Sequence, residues 1–225
     1  TSPGRSRDSN PVLVEQMTWE EYRDEVSRSV IILPVGSLEQ HGPHLPLNVD
    51  VVIPTSLAEM VCQELDAMVL PPIVYGYKAE GGGQQFPGTT SLDGMTLINL
   101  TLDILRETYR HGGRKFLVLN GHYENVAFVT EAIELFRRDA HSARAAVTET
   151  SLMQYFTPEL VREHKIIDDE AERTPAYSIF PPPDDTIPKS GVPYKATFAS
   201  REKGEKLAKQ LVDTIVQICR LELGG

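Results

Sequence analysis

Apolar positions along the chain change their rhythm several times. Val30 to Val35, read VIILPV, is an unbroken apolar run of the kind a strand covered on both faces requires. Ahead of it, Thr18 and Glu21 stand at capping-box spacing, and Met17, Tyr22 and Val26 form an apolar stripe. That combination predicts a short helix ending near Arg28. The same reading predicts helices over Pro54 to Leu65, Thr96 to Arg110, Glu124 to Arg138 and about Ser200 to Leu223, with strands over Met68 to Val74 and Lys115 to Leu119. Strands and helices alternate, which predicts an α/β fold: a single three-layer α/β/α domain around a mainly parallel sheet. In such folds ligands gather outside the carboxyl ends of the strands.

Two stretches break the rhythm. Tyr75 to Gly94 is rich in glycine and aromatic residues without a sustained period, so it is expected to be a loop. Its Gly81-Gly82-Gly83 run is either backbone that closely approaches a ligand or a mobile surface tip. The polar, proline-rich stretch from Asp168 to Pro193 reads as a surface strap that orders on contact, such as against another subunit.

The chemistry lies where strand-like runs end. Glu39-Gln40-His41, followed by Asp50, succeeds the first run, and His122-Tyr123-Glu124 succeeds the third. Each motif is an i, i+2 pair, and on extended backbone such side chains project from one face. Two imidazoles and three carboxylates suit divalent zinc or manganese, and an aspartate between two ions can bridge them with its two oxygens. Asp50 is the candidate bridge. Taken singly, each acid reads better as a loop or cap residue and each histidine as a satisfied polar group. Repetition of the pattern at two strand ends favours metal.

Composition narrows the setting. A chain of 225 residues fits one domain, and we place it over residues 17–225 behind a flexible arm over residues 1–16, whose first part, Thr1 to Pro11, is polar and lacks the apolar core of a signal peptide. A net charge of -10 with no basic cluster argues against a nucleic-acid partner. No apolar run approaches membrane-spanning length, which argues against a membrane partner. Cys62 and Cys219 stand where small buried apolar residues would, so no disulfide framework is expected and a reducing cytoplasm fits.

Longer motifs then carry a family resemblance. GSLEQHGPHLPLNVD (Gly36 to Asp50), GGGQQFPGTTSLDG (Gly81 to Gly94), NGHYEN (Asn120 to Asn125), ETSLM (Glu149 to Met153) and ASREKGE (Ala199 to Glu205) resemble the creatininase family of amidohydrolases, from about Thr18 to the C-terminus. The resemblance implies a binuclear site of zinc with manganese, or of two zincs. In it, Glu39, Asp50 and His122 would hold one ion, and His41, Asp50 and Glu124 the other. It also implies reversible hydrolysis of creatinine to creatine by a metal-bridging hydroxide, with Tyr123 lining the substrate pocket, and assembly as a homohexamer. Tyr123 and the triple-glycine loop favour creatinine over other C–N hydrolases of the family, such as a formamidopyrimidine deformylase or a peptide-processing enzyme. A metal-binding homologue without catalysis is the reading from a different class.

Two departures from the family pattern stand out. Its members usually carry a further strand, a tryptophan-bearing flap and a histidine that protonates the leaving nitrogen between the helix ending near Arg138 and Glu149. Here the sequence passes directly from His141 to Glu149, and Trp19 is the sole tryptophan. Of deletion and omission of a mobile lid, the reading favours omission, so the general-acid histidine is expected in a segment absent between Arg138 and Glu149. The second departure is Glu80, where relatives tend to place a serine before the triple glycine. With Gly81 it is a candidate substrate contact that favours a cationic or guanidinium-like group, or else it is a solvated loop acid.

Overall fold

A computed structural model describes residues 12–79, 84–140, 150–167, 169, 189–190 and 196–223. Helix α1 (Trp19–Glu25) opens with the expected capping box, Thr18 and Glu21 satisfying each other's backbone donors. Then β1 (Val30–Val35), α2 (Val49–Val61), β2 (Ala67–Val69), α3 (Gly94–Arg110), β3 (Lys115–Asn120), α4 (Val126–Ala140), α5 (Thr150–Phe156) and α6 (Arg201–Leu223) follow. The three strands form a parallel sheet in the order β2-β1-β3, with Val30 opposite Ala67 on one side and Lys115 on the other.

Alternation along each strand separates two cores. Val30 and Ile32 of β1 and Leu117 and Leu119 of β3 face α2, α5 and α6, where Leu57, Leu152 and Val212 meet them. Ile31, Leu33 and Val35, with Phe116 and Val118, face α3 and α4, where Leu105 and Phe136 meet them. A sheet apolar on both faces must be covered on both, and the three-layer α/β/α arrangement follows. Cys62 and Cys219 are both buried in the first core. Among the described residues no helix is long and apolar enough to cross a membrane.

Three details differ from the sequence reading. Helix α2 begins at Val49, not Pro54: proline is a common first helical residue, but burial of Val49 and Ile53 in the core extends the helix ahead of it. Strand β2 is shorter than expected, Ile73 making only an isolated bridge to Val35. The flexible arm placed over residues 1–16 is engaged from Val12 onward. The Val69 N–H donates to the Val12 carbonyl at 2.8 Å, and Leu13 bridges Val69 in parallel. Val12 and Val14 pack on one core and Leu13 on the other, which is why the chain is held there. Residues 1–11, Glu80, Gly81, His141, the junction where the general-acid segment is expected, and most of the 168–193 strap lie outside the described residues.

Candidate metal centre

The strand ends are brought together by close backbone packing. A Cβ on Gly36 would lie 2.6 Å from the Asp50 carbonyl oxygen, and one on Gly121 would lie 2.2 Å from the same atom. Only residues without side chains let the first turn of α2 seat against the ends of both β1 and β3. Asp50 is thereby carried to the sheet's carboxyl edge and is fully buried. Its charge also lies in the first turn of a helix, where the macrodipole favours an anion.

All five predicted ligands converge. Asp50 Oδ1 is 3.1 Å from His41 Nε2, and Asp50 Oδ2 is 2.8 Å from His122 Nδ1. Glu39 Oε1 is 3.1 Å from His122 Nδ1 and 4.0 Å from His41 Nε2, while Glu124 Oε2 is 3.4 Å from His122 Nε2. Ligand atoms of Glu39, His122 and Glu124 lie within 4.8 Å of one another, and so do those of Glu39, His41 and Asp50. This spacing makes Glu39 common to two groups, while Asp50 spans two imidazoles with its two oxygens. Mixed nitrogen and carboxylate donors at such separations fit divalent zinc or manganese.

Extended backbone accounts for only part of this convergence. His122 is extended (φ -126°, ψ 120°), but Tyr123–Asn125 is a 3-10 turn, so Glu124 is aimed by the turn and not by strand alternation. The side chain of Glu124 also leans on the preceding loop. Its Oε1 accepts from the Ala79 N–H at 3.2 Å, and Nε2 of His122 lies 2.9 Å from the Tyr77 carbonyl. Tyr123 between the two ligands is 81% exposed, which excludes it from the core.

Sequence reasoning missed four residues of this site. Lys78 places its ammonium 2.6 Å from Glu39 Oε2 and 2.6 Å from Glu124 Oε2. Asn125 is completely buried. Its side chain donates to the Gly36 carbonyl at 2.9 Å and accepts from the Tyr77 N–H at 2.8 Å, tying β1, the loop and the second motif together. Thr89 accepts from the Gln40 N–H at 3.0 Å and so braces the first motif. His44 is buried, and neither of its ring nitrogens has a hydrogen-bond partner among the described residues. Lys78 stands inside the Tyr75 to Gly94 loop and Asn125 inside the NGHYEN string; the signal that could have found them is a lone cation and a lone amide beside an acidic cluster.

Electrostatics follow from these distances. Burial opposes charge on His122, but hydrogen bonds to Asp50, Glu124 and Glu39 outweigh it and push its pKa up to about 11. Burial likewise opposes ionisation of Asp50 and Glu124. For Asp50 the His122 and His41 rings, and for Glu124 His122 and Lys78, hold the carboxyls below their ordinary range. Lys78 resists discharge by burial because Glu124 and Glu39 hold its pKa above the usual lysine value. His44 is pushed down by burial and then by His41.

Known proteins share this frame. A family described as creatinine amidohydrolase matches residues 15–219. The creatinine amidohydrolase of Pseudomonas putida is 37% identical over 255 residues, taking in 95% of this chain and 98% of that protein. The mycofactocin precursor peptide peptidase of Mycobacterium tuberculosis is 30% identical over 213 residues, 83% of each chain. A manganese creatininase structure superposes with a TM-score of 0.88 at 37% identity, covering 94% of this chain and 98% of that one. A Zn-Zn creatininase mutant superposes with a TM-score of 0.87 at 36% identity, covering 95% and 99%. The Pseudomonas alignment runs over 255 positions against a chain of 225 residues, so that relative carries residues with no counterpart here.

Proposed function

Because this chain belongs to the creatininase family, we propose that it is a metal-dependent amidohydrolase that opens the ring of creatinine to give creatine, reversibly, at the Glu39–Glu124 cluster. The observation that carries this reading is the meeting of five metal-competent side chains from two strand ends and one helix start. Glu39, Asp50 and His122 would hold one divalent cation and His41, Asp50 and Glu124 the other, with Asp50 shared, since its oxygens already face separate imidazoles. A zinc–manganese or zinc–zinc pair bound there supplies the Lewis acidity that lowers the pKa of water and polarises an amide carbonyl.

The chain's own residues do the rest. Burial of Glu39, His41, Asp50 and His122 keeps bulk water from the cluster and strengthens each charge interaction within it. Asn125 and Thr89 hold the two motifs in register, so the donors are positioned before substrate arrives. Tyr123, exposed and flanked by two proposed ligands, would line the substrate pocket, and Glu80 and Gly81, close after Lys78 in sequence, would contact substrate with it. The family resemblance read in the sequence extends this proposal to a homo-oligomer, a homohexamer, acting in the cytoplasm.

One observation favours a second reading. The direct junction from His141 to Glu149 omits the segment in which the family carries its proton-donating histidine, and ring opening requires protonation of the departing nitrogen. A chain that binds the cations without turning over creatinine accounts for that equally. The test is turnover of creatinine by protein stripped with chelator and reloaded with Zn2+ or Mn2+. Metal-dependent creatine formation supports the amidohydrolase. Cation binding without turnover supports the binding protein, and cleavage of a peptide in place of creatinine supports the peptide-processing branch. An intact mass of 25.1 kDa makes the missing segment a true deletion, whereas a heavier chain restores it.

A further inference from the structure

Lys78 stands among the proposed cation ligands without being able to bind a cation. Its ammonium lies 2.6 Å from one oxygen of Glu39 and 2.6 Å from one oxygen of Glu124, and its side chain is only 12% exposed. Those two acids, with His122, form one of the two groups whose donor atoms lie within 4.8 Å of each other. Glu124 Oε1 is occupied by the Ala79 N–H, so Oε2, the oxygen that faces His122, is also the one that Lys78 holds. We propose that Lys78 is a tethered counter-cation that neutralises Glu39 and Glu124 in the metal-free protein and must withdraw before those two carboxylates can take up divalent ions. This rests on the proposed metal-dependent reading and adds to it a device that sets how tightly the ions are held.

Two carboxylates converging in a partly buried place repel unless a positive charge lies between them, and the ammonium supplies it. A divalent ion held by either carboxylate would lie within a few ångströms of that ammonium, where like charges repel strongly at low effective dielectric. Lysine is suited to the exchange because its charge is a compact point on a flexible four-carbon stem, whereas a bidentate arginine fork would lock onto both acids. The measured affinity for the ion is therefore its intrinsic affinity reduced by the cost of displacing Lys78. The opposite role, in which Lys78 merely orients Glu39 and Glu124 for the ion, predicts weaker binding when it is removed.

The experiment is calorimetric titration of Mn2+ into chelator-stripped full-length protein, comparing wild type with Lys78→Met and Lys78→Gln, alongside the melting temperature of each metal-free form. Tethered displacement predicts at least about tenfold tighter binding of one Mn2+ in both variants, and a lower metal-free melting temperature as the two acids lose their counter-charge. Lys78→Arg keeps the charge and should bind no tighter than wild type. Unchanged or weaker Mn2+ binding in Lys78→Met and Lys78→Gln, with wild type still binding, overturns the role of Lys78 alone. Wild-type protein that binds no Mn2+ overturns the metal-dependent reading with it. Should Lys78→Met fail to fold, Lys78→Gln, with its polar end and shorter stem, decides the matter.

Discussion

Asp50 and His122 are no more than 3% exposed and depend on glycines whose backbone touches that of Asp50, whereas Glu124 hangs from a 3-10 turn with its side chain 22% exposed and rests on the Ala79 N–H and on Lys78, which also holds Glu39. The first group is positioned by packing of backbone on backbone. The second is positioned by charge and by a loop. Packing tolerates little displacement, because a close-packed interior has no room to absorb it, while an ion pair on flexible stems adjusts to what it binds. The contrast teaches where this site is rigid and where it can take up or release a ligand.

Changes on the packed side should do most damage. Asp50→Ala removes the carboxylate that faces both imidazoles. Activity is expected to fall by about 10³-fold or more, roughly 4 kcal/mol of transition-state stabilisation, together with loss of retained metal by elemental analysis; an active, fully metallated variant would refute the shared-ligand role. Gly121→Ala comes next, since its Cβ would sit 2.2 Å from the Asp50 carbonyl oxygen and 2.7 Å from Pro54. Neither backbone nor a proline ring can step aside cheaply, so a loss of about 3 kcal/mol in denaturant unfolding is expected, and wild-type stability would show that β3 and α2 are not in close contact.

Asn125→Ala tests the link between the two halves. It deletes the bonds to Gly36 and Tyr77 and strands a buried carbonyl and a part-buried N–H, which should cost about 2 kcal/mol and lower the melting temperature by roughly 4–8 °C. A variant melting with wild type would mean that the loop is held by other contacts.

The last prediction concerns pH dependence, read in metal-free protein. With its pKa raised from 6.5 to about 11, His122 contributes stability that is complete below about pH 6.5 and is lost as pH climbs toward 11. Asp50 and Glu124, held below their ordinary range, contribute above it and lose that contribution as pH falls through their lowered values. The metal-free melting temperature should therefore decline from pH 6.5 to pH 9, attributable to His122 if His122→Gln flattens it. A metal-free wild type whose melting temperature rises over that interval would contradict the imidazolium.

Much of this was legible before any coordinates. VIILPV announced a strand covered on both faces, and the capping box at Thr18 and Glu21 stands where its spacing put it. The five ligand candidates were legible because metal-competent residue types are few and their clustering at strand ends is conspicuous. Lys78 was not, since a lysine in a loop is ordinarily a solvated charge, and its spacing from Glu39 and Glu124 carries no period. The early start of α2 was hidden by Pro54, whose local signal for a helix beginning lost to burial of Val49 and Ile53.

By itself, then, the sequence determined which faces must be buried and which residue types could hold a metal, because hydrophobic period and donor chemistry are properties of each residue and its near neighbours. Only the tertiary structure decided that Gly36 and Gly121 meet one carbonyl, that Asp50 lies between two imidazoles, and that an ammonium stands between Glu39 and Glu124. Those facts join segments tens of residues apart through backbone packing and Coulomb attraction, and both depend on distances in space that no local pattern encodes.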